Sequence, residues 1–218
     1  ASGNLDFSVH FSENDFFNGN DLNTDLWNVA KSDDKTVKFF TNAVIEGNPL
    51  SVEKIFKFND KGYAFNVEYR FINTGKKPVK FRDGKAIFSP SDTLGPKLDY
   101  TNRYNHMMGI FSVDDDYSQN TKGSGFFSKA GVLKKEAGKV DYTGIMSRYC
   151  LLIMIPEQFN GTEMVFDNRE KTGFRTGMSV DMGEIQPGKE VVKSFKIYLG
   201  EKDKAMLKGV DPKIVAAS

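Results

Sequence analysis

Tyr63-Ala64-Phe65-Asn66-Val67-Glu68-Tyr69-Arg70-Phe71 places Tyr63, Phe65, Val67, Tyr69 and Phe71 on one side of an extended chain and Asn66, Glu68 and Arg70 on the other. Side chains alternate faces along a strand, so this pattern predicts a half-buried β-strand. Asn59-Asp60-Lys61-Gly62 supplies a tight turn from a preceding strand over 52–58, and Asn73-Thr74-Gly75-Lys76-Lys77-Pro78 closes the far end. Turn-bounded strands in succession predict antiparallel neighbours.

Working outward, strands are expected over 79–81, 85–88, 108–113, 144–148, 164–166 and 176–180. The run 149–155 is apolar at every position after Tyr149, which predicts a strand covered on both faces and ended by Pro156. Gln186-Pro187-Gly188-Lys189 then reads as a turn, 190–199 as a long amphipathic strand, and Gly200 as its stop. Only two short helical pieces are expected, both C-terminal: 202–208, and 212–217 with Asp211 as cap and Pro212 in the first helical position.

A chain of 218 residues with 39% hydrophobic content and 19 Phe can bury a large core, and one large sandwich is preferred over two small domains. Lys plus Arg number 30 against 29 Asp plus Glu, so no long-range field gathers a polyanion, which argues against a nucleic-acid partner. The single cysteine, Cys150, has apolar neighbours and is expected as a small core hydrophobe. The chain opens at Ala1-Ser2-Gly3 and holds no apolar run long enough to span a bilayer, which suggests a piece of something longer.

Candidate chemistry is sparse. His10 and His106 are nearly a hundred positions apart, and neither belongs to a metal-ligand spacing. His106 falls in Asn102-Arg103-Tyr104-Asn105-His106, a polar-aromatic loop, so Arg103, Tyr104 and His106 are the candidate lining of a groove. Asp114-Asp115-Asp116 has the alternating oxygens of a calcium loop, but Gln119 replaces the required glycine and Gly125 the closing glutamate; a solvated turn is the expectation. Lys122-Gly123-Ser124-Gly125 lacks the lysine-plus-hydroxyl ending of a phosphate loop, and Asn160-Gly161-Thr162 matches a glycosylation acceptor but is read as a turn after Glu157 and Gln158. Nothing points to a nucleophile, a cofactor or a metal.

Three blocks carry a resemblance. The first is 61–69 running into Asn73-Thr74-Gly75-Lys76-Lys77-Pro78. The second is 149–156, ending in Ile155-Pro156 after the glycine-containing stretch 138–144. The third is Gln186-Pro187-Gly188 followed by Tyr198-Leu199-Gly200-Glu201-Lys202. Together they are similar to the large periplasmic domain of the YidC membrane protein insertase family, although Glu201 stands where that pattern has proline; residues 1–50 match less distinctly.

The resemblance implies an all-β, galactose-mutarotase-like β-supersandwich of two stacked antiparallel sheets over 1–200, with a C-terminal helical linker over 201–218. It implies a non-catalytic domain without cofactor, in the periplasm as part of an inner-membrane protein of a Gram-negative-type bacterium. The implied partners are Sec translocon components (SecDF) and nascent membrane proteins. Membrane contact is expected through transmembrane segments that the sequence lacks. Asp211, Pro212, Ile214 and Val215 are the candidate linker or interface residues. A carbohydrate-binding or mutarotase-like protein is the alternative, weakened because that chemistry needs a paired acid and base and only His106 is placed to serve.

Overall fold

The computed structural model describes residues 7–18, 27–91, 94, 107–121, 133–167 and 175–218. In chain order the strands are β1 (Ser8–His10), β2 (Asn28–Ser32), β3 (Thr36–Ile45), β4 (Asn48–Phe58), β5 (Ala64–Asn73), β6 (Val79–Lys80), β7 (Lys85–Ser89), β8 (Met108–Val113), β9 (Asp116–Thr121), β10 (Leu133–Met146), β11 (Cys150–Pro156), β12 (Gly161–Asp167), β13 (Arg175–Asp181), β14 (Glu184–Ile185) and β15 (Glu190–Glu201). Helix α1 (Glu13–Asn18) lies between β1 and β2. Helix α2 (Lys204–Val210) and a 3-10 helix (Pro212–Ala217) close the chain, and a single 3-10 turn (Arg82–Gly84) precedes β7.

The opening stretch folds as its alternation requires. In β5, Val67, Tyr69 and Phe71 are buried while Asn66, Glu68 and Arg70 are half exposed, and β4 pairs with β5 from Leu50↔Asn73 to Phe58↔Phe65. On the outward face, charges of opposite sign meet across the strands. Lys38 (β3) bonds Glu53 (β4), Glu53 bonds Arg70 (β5), and Arg70 bonds Glu190 (β15), at 2.5, 3.2 and 2.6 Å.

One continuous antiparallel ladder runs β1-β7-β13-β12-β10-β11-β15-β5-β4-β3-β2, with β8 and β9 attached beside β10. The long strand β10 turns this ladder into two sheets. Its C-terminal half pairs with β11, and its N-terminal half with β12. Val140, at the changeover, pairs with Gly161 of β12 and also with Val113 of β8. A bulge between Ala137 and Val140 bends the strand there. Gly138 occupies the bulge with φ +155°, and a Cβ would stand 2.6 Å from both Val113 Cγ1 and Asp114 Oδ2.

Rings prove that the two halves stack. Tyr69 of β5 lies 5.0 Å from Phe88 of β7, and Phe88 lies 4.9 Å from Phe195 of β15. Along the ladder β5 and β7 are six strands apart, about 29 Å at ~4.8 Å per step. Contact at 5 Å therefore requires the sheet to fold over on itself, and the folded layers enclose the main core, with Val52, Val67, Phe71, Met154, Met178 and Ile197 among its buried residues. The β-supersandwich is thus the observed architecture.

Strand β11 is apolar on both faces for an identifiable reason. Leu152 and Met154 enter the main core, whereas Leu151, Ile153 and Ile155 face outward into a second cluster with Ile110, Tyr142, Tyr198, Leu207, Ile214 and Ala217. The C-terminal helices are the second cover. Gly144 of β10 allows the close approach of β11, since a Cβ there would stand 2.4 Å from the Leu152 carbonyl oxygen.

Several expectations are corrected. The strand expected over 144–148 starts at Leu133 and ends at Met146, because Ser147 starts a turn: its hydroxyl accepts from Cys150 N at 3.1 Å, and its N–H donates to the Cys150 carbonyl at 2.9 Å. Cys150 is half-buried at that turn rather than a core residue. Helix α1 shows that helices are not confined to the C-terminus; Ser12 caps it by accepting from Asp15 N at 3.1 Å and donating to the Asp15 carboxylate at 2.7 Å. Gly200 does not stop β15, which runs on to Glu201.

Candidate functional site

The C-terminal exit is the best-built feature outside the main core. Asp203 starts α2 by accepting from Met206 N at 2.8 Å, and Asp211 starts the 3-10 helix by accepting from Lys213 N at 2.9 Å, with Pro212 in its first turn. Both caps sit where carboxylates favour a helix N-terminus. The caps orient Leu207, Ile214 and Ala217 inward, all buried against β8, β10, β11 and β15. Val215 packs at the margin of this cluster, so the four linker candidates divide into two capping or starting residues and two apolar contacts.

Charge pins what apolar packing seats. Asp141 of β10, its side chain 3% exposed, is bonded by Lys213 of the 3-10 helix and by Lys139 at 3.0 Å. Asp115, in the β8–β9 turn, stands 3.3 Å from Lys213 and 3.7 Å from Lys139. Burial raises the pKa of Asp141, but the hydrogen bonds from Lys213 and Lys139 outweigh it and hold the carboxyl below the usual aspartate range. The Lys213 ammonium is pushed up, chiefly by its bond to Asp141. Lys196 adds a longer bond, 3.4 Å, to the Val210 carbonyl between the helices. Beneath them Tyr142 is fully buried, and burial, followed by Tyr117 and Asp141, raises its hydroxyl pKa.

These groups hold geometry and offer no reacting centre. The two lysines hold the Asp141 carboxyl below the usual aspartate range, so it is not poised to move a proton at neutral pH. Asp114 and Asp115 form the two central residues of a hairpin turn, at φ +52° and +67°, and Asp114 accepts from Lys139 N at 2.9 Å. That arrangement is the expected solvated turn. His10 is buried in β1, its ring nitrogen 2.9 Å from Ser8 Oγ and its edge against Phe16. Among the described residues no group of three or more His, Cys, Asp or Glu converges as a metal site, and no helix is long and apolar enough to cross a membrane. The groove candidates Arg103, Tyr104 and His106, and the glycine-rich stretch 122–125, lie outside the described residues.

The Asp141–Lys213 pin was not read from the sequence. Asp141 lies in the part of β10 that precedes the expected strand 144–148, and 72 positions separate the partners. The spacing Ser12-x-x-Asp15 is the local sequence signal for α1.

Comparison with known proteins places this architecture. The YidC periplasmic domain family matches residues 11–217. The membrane protein insertase YidC of Burkholderia cenocepacia (strain HI2424) is 26% identical over 211 residues, covering 91% of this chain and 36% of that protein. The membrane protein insertase YidC of Syntrophus aciditrophicus is 24% identical, covering 73% of this chain and 28% of that protein. The chain thus spans about a third of the length of the curated relatives it matches. Among solved structures, a galactose mutarotase-like protein from Lactobacillus casei superposes with TM-score 0.55 at 12% identity, covering 82% of this chain and 75% of that one. A putative aldose 1-epimerase from Escherichia coli K12 gives 0.54 at 10% identity, covering 81% and 69%. At such identities the likeness is one of fold alone.

Proposed function

The chain belongs to the YidC periplasmic domain family, and from that premise we propose that it is a non-catalytic contact module of a membrane protein insertase, standing in the periplasm beside the inner membrane. Its sandwich offers surface to other proteins, and residues 201–218 hand the domain over to the membrane-embedded part. Sec translocon components, SecDF in particular, and emerging membrane proteins are the partners this reading assigns.

The observation that carries the reading is the seating of the exit. A chain that only tethered two parts would leave its terminal helices loose; here Leu207, Ile214 and Ala217 are buried and Lys213 is bound to Asp141. Such a joint sets the orientation of the sandwich relative to whatever follows. The mutarotase-like neighbours do not by themselves favour sugar chemistry here, because at 10% and 12% identity the likeness extends only to fold.

The test uses the full-length insertase. Deleting the sandwich while keeping 201–218 is expected to reduce crosslinking to Sec components while insertion of a model membrane protein continues. Replacing Ile214 and Leu207 by aspartate, which unseats the helices while the sandwich stays, is expected to lower the same crosslinking while insertion continues. Loss of insertion on removing the sandwich alone would overturn the accessory role.

A further inference from the structure

Strand β15 is paired unevenly. On one edge β5 matches it from Glu190 to Tyr198, whereas on the other β11 covers only Phe195 to Glu201. The last rung is the Glu157 N–H donating to the Ser194 carbonyl at 2.9 Å, after which the chain turns away through Gln158 at φ +64°. Backbone groups point to alternate edges along a strand. The Lys189 carbonyl faces β5, where it accepts from Asn73 N, and the Ser194 carbonyl faces β11. Val192 and Glu190 share the parity of Ser194, so their N–H and C=O groups point to the side that β11 has left. Among the described residues no strand stands opposite them.

The space beside this edge is a cleft of about 670 Å³, lined by Pro156, Phe159, Val192, Lys193, Ser194 and Asp211 among others. Val192, a β-branched residue on the outward face, is 42% exposed. Lys193 points to the opposite face, its ammonium 4.9 Å from the centre of the Phe159 ring, and among the described residues it makes no ion pair. Burial lowers its pKa, partly offset by the charge of Asp181. The edge therefore combines unpaired backbone groups, an exposed apolar side chain on one face and a partly desolvated cation on the other.

We propose that Glu190–Ser194 of β15 is a strand-addition site for an extended segment of a partner polypeptide, with an apolar β-branched residue opposite Val192 and an acidic residue opposite Lys193. Five residues of strand span about 17 Å, and hydrogen-bonded pairs at Val192 and Glu190 supply about four backbone bonds. The added strand continues the line of β11, so it meets the twist the sheet already has. The acidic residue supplies a direct ion pair, where Asp181 acts on Lys193 only from a distance. Nothing in this edge depends on the insertase reading, and the two fail separately.

The isotope-labelled 218-residue chain is titrated with a blocked heptapeptide of alternating valine and threonine carrying one central aspartate, and with the same peptide N-methylated at alternate amides. Expected are amide shifts centred on 190–194 and 157–159, slowing of Val192 amide exchange by about tenfold at saturation, and binding about tenfold weaker or worse for the N-methylated peptide. Val192→Pro removes an N–H that the β5 ladder does not use, so the fold is expected to survive while binding is lost. Lys193→Gln weakens binding of the aspartate peptide and not of its asparagine counterpart. The proposal is overturned by absent shifts up to the solubility limit, by shifts centred elsewhere, or by equal binding of the N-methylated peptide. The same holds if concentration-dependent shifts at 190–194 occur without peptide, which would make a second copy the occupant. If Val192→Pro unfolds the chain, the N-methylated peptide alone decides.

Discussion

Strand β11 separates two cores of different construction. On its inner side, Leu152 and Met154 join a large cluster in which Tyr69, Phe71, Phe88 and Phe195 meet ring to ring at 4.9–6.2 Å. On its outer side, among the described residues, Leu151, Ile153 and Ile155 are covered by α2 and the 3-10 helix, and the edge of that cover is held by Asp141 and two lysines. The inner core joins residues from both sheets and cannot open without unfolding the sandwich. The outer core joins one sheet to a short terminal segment and can open by itself. Stability resides in the first; the seating of the terminal helices resides in the second.

Substitutions should separate the two cores, and the largest effect is expected inside. Phe88→Ala removes a ring that contacts Tyr69, Phe71 and Phe195, and should lower global stability by about 3–5 kcal/mol in a denaturant titration, in one transition. Ile214→Ala should have a smaller effect, about 2 kcal/mol, because a terminal helix can settle toward the gap. It should act on the outer core first, visible as faster proteolysis near 204–217 before global unfolding. Equal, fully cooperative losses from both would show that the cores are a single unit.

Asp141→Asn comes next, at about 1–2 kcal/mol, since its lysine partners remain partly solvated. Its pH dependence follows from the lowered folded-state pKa. The stabilisation is fully present above the ordinary aspartate pKa and is lost as pH falls through the lower folded value. The difference between parent and variant should therefore vanish in acid, when stability is measured across that window. Arg70→Ala on the outer face of β5 should cost less than about 1 kcal/mol, and added salt should shrink the difference further.

The sequence revealed elements where one face was apolar and the other polar. The β4–β5 hairpin was legible for that reason, and β11 was legible as a strand covered twice, although what covered its second face was not. Strand β3 lacks a clear alternation because Phe40 and Val44 interrupt its polar side; Val44 is 69% exposed. The N-terminal half of β10 escaped because the bulge at Gly138 resets the period and Lys134, Lys135, Glu136 and Lys139 read as a solvated loop. At the exit, Asp211, Pro212 and Ile214 were legible as a cap, a start and an apolar contact. The Asp141–Lys213 contact was not, because a pairing across 72 positions is set by the fold and leaves no local spacing.

The terminal helices are seated as part of the domain. Hydrogen exchange of the native 218-residue chain tests it most directly, at the amides of Leu207, Asp211 and Ile214, which donate to the carbonyls of Asp203, Leu207 and Asp211. Seated helices predict protection well above that of unstructured chain, lost selectively in Ile214→Ala while the β5 and β11 amides stay protected. Exchange at the unprotected rate across 204–217 in the parent chain would contradict the account.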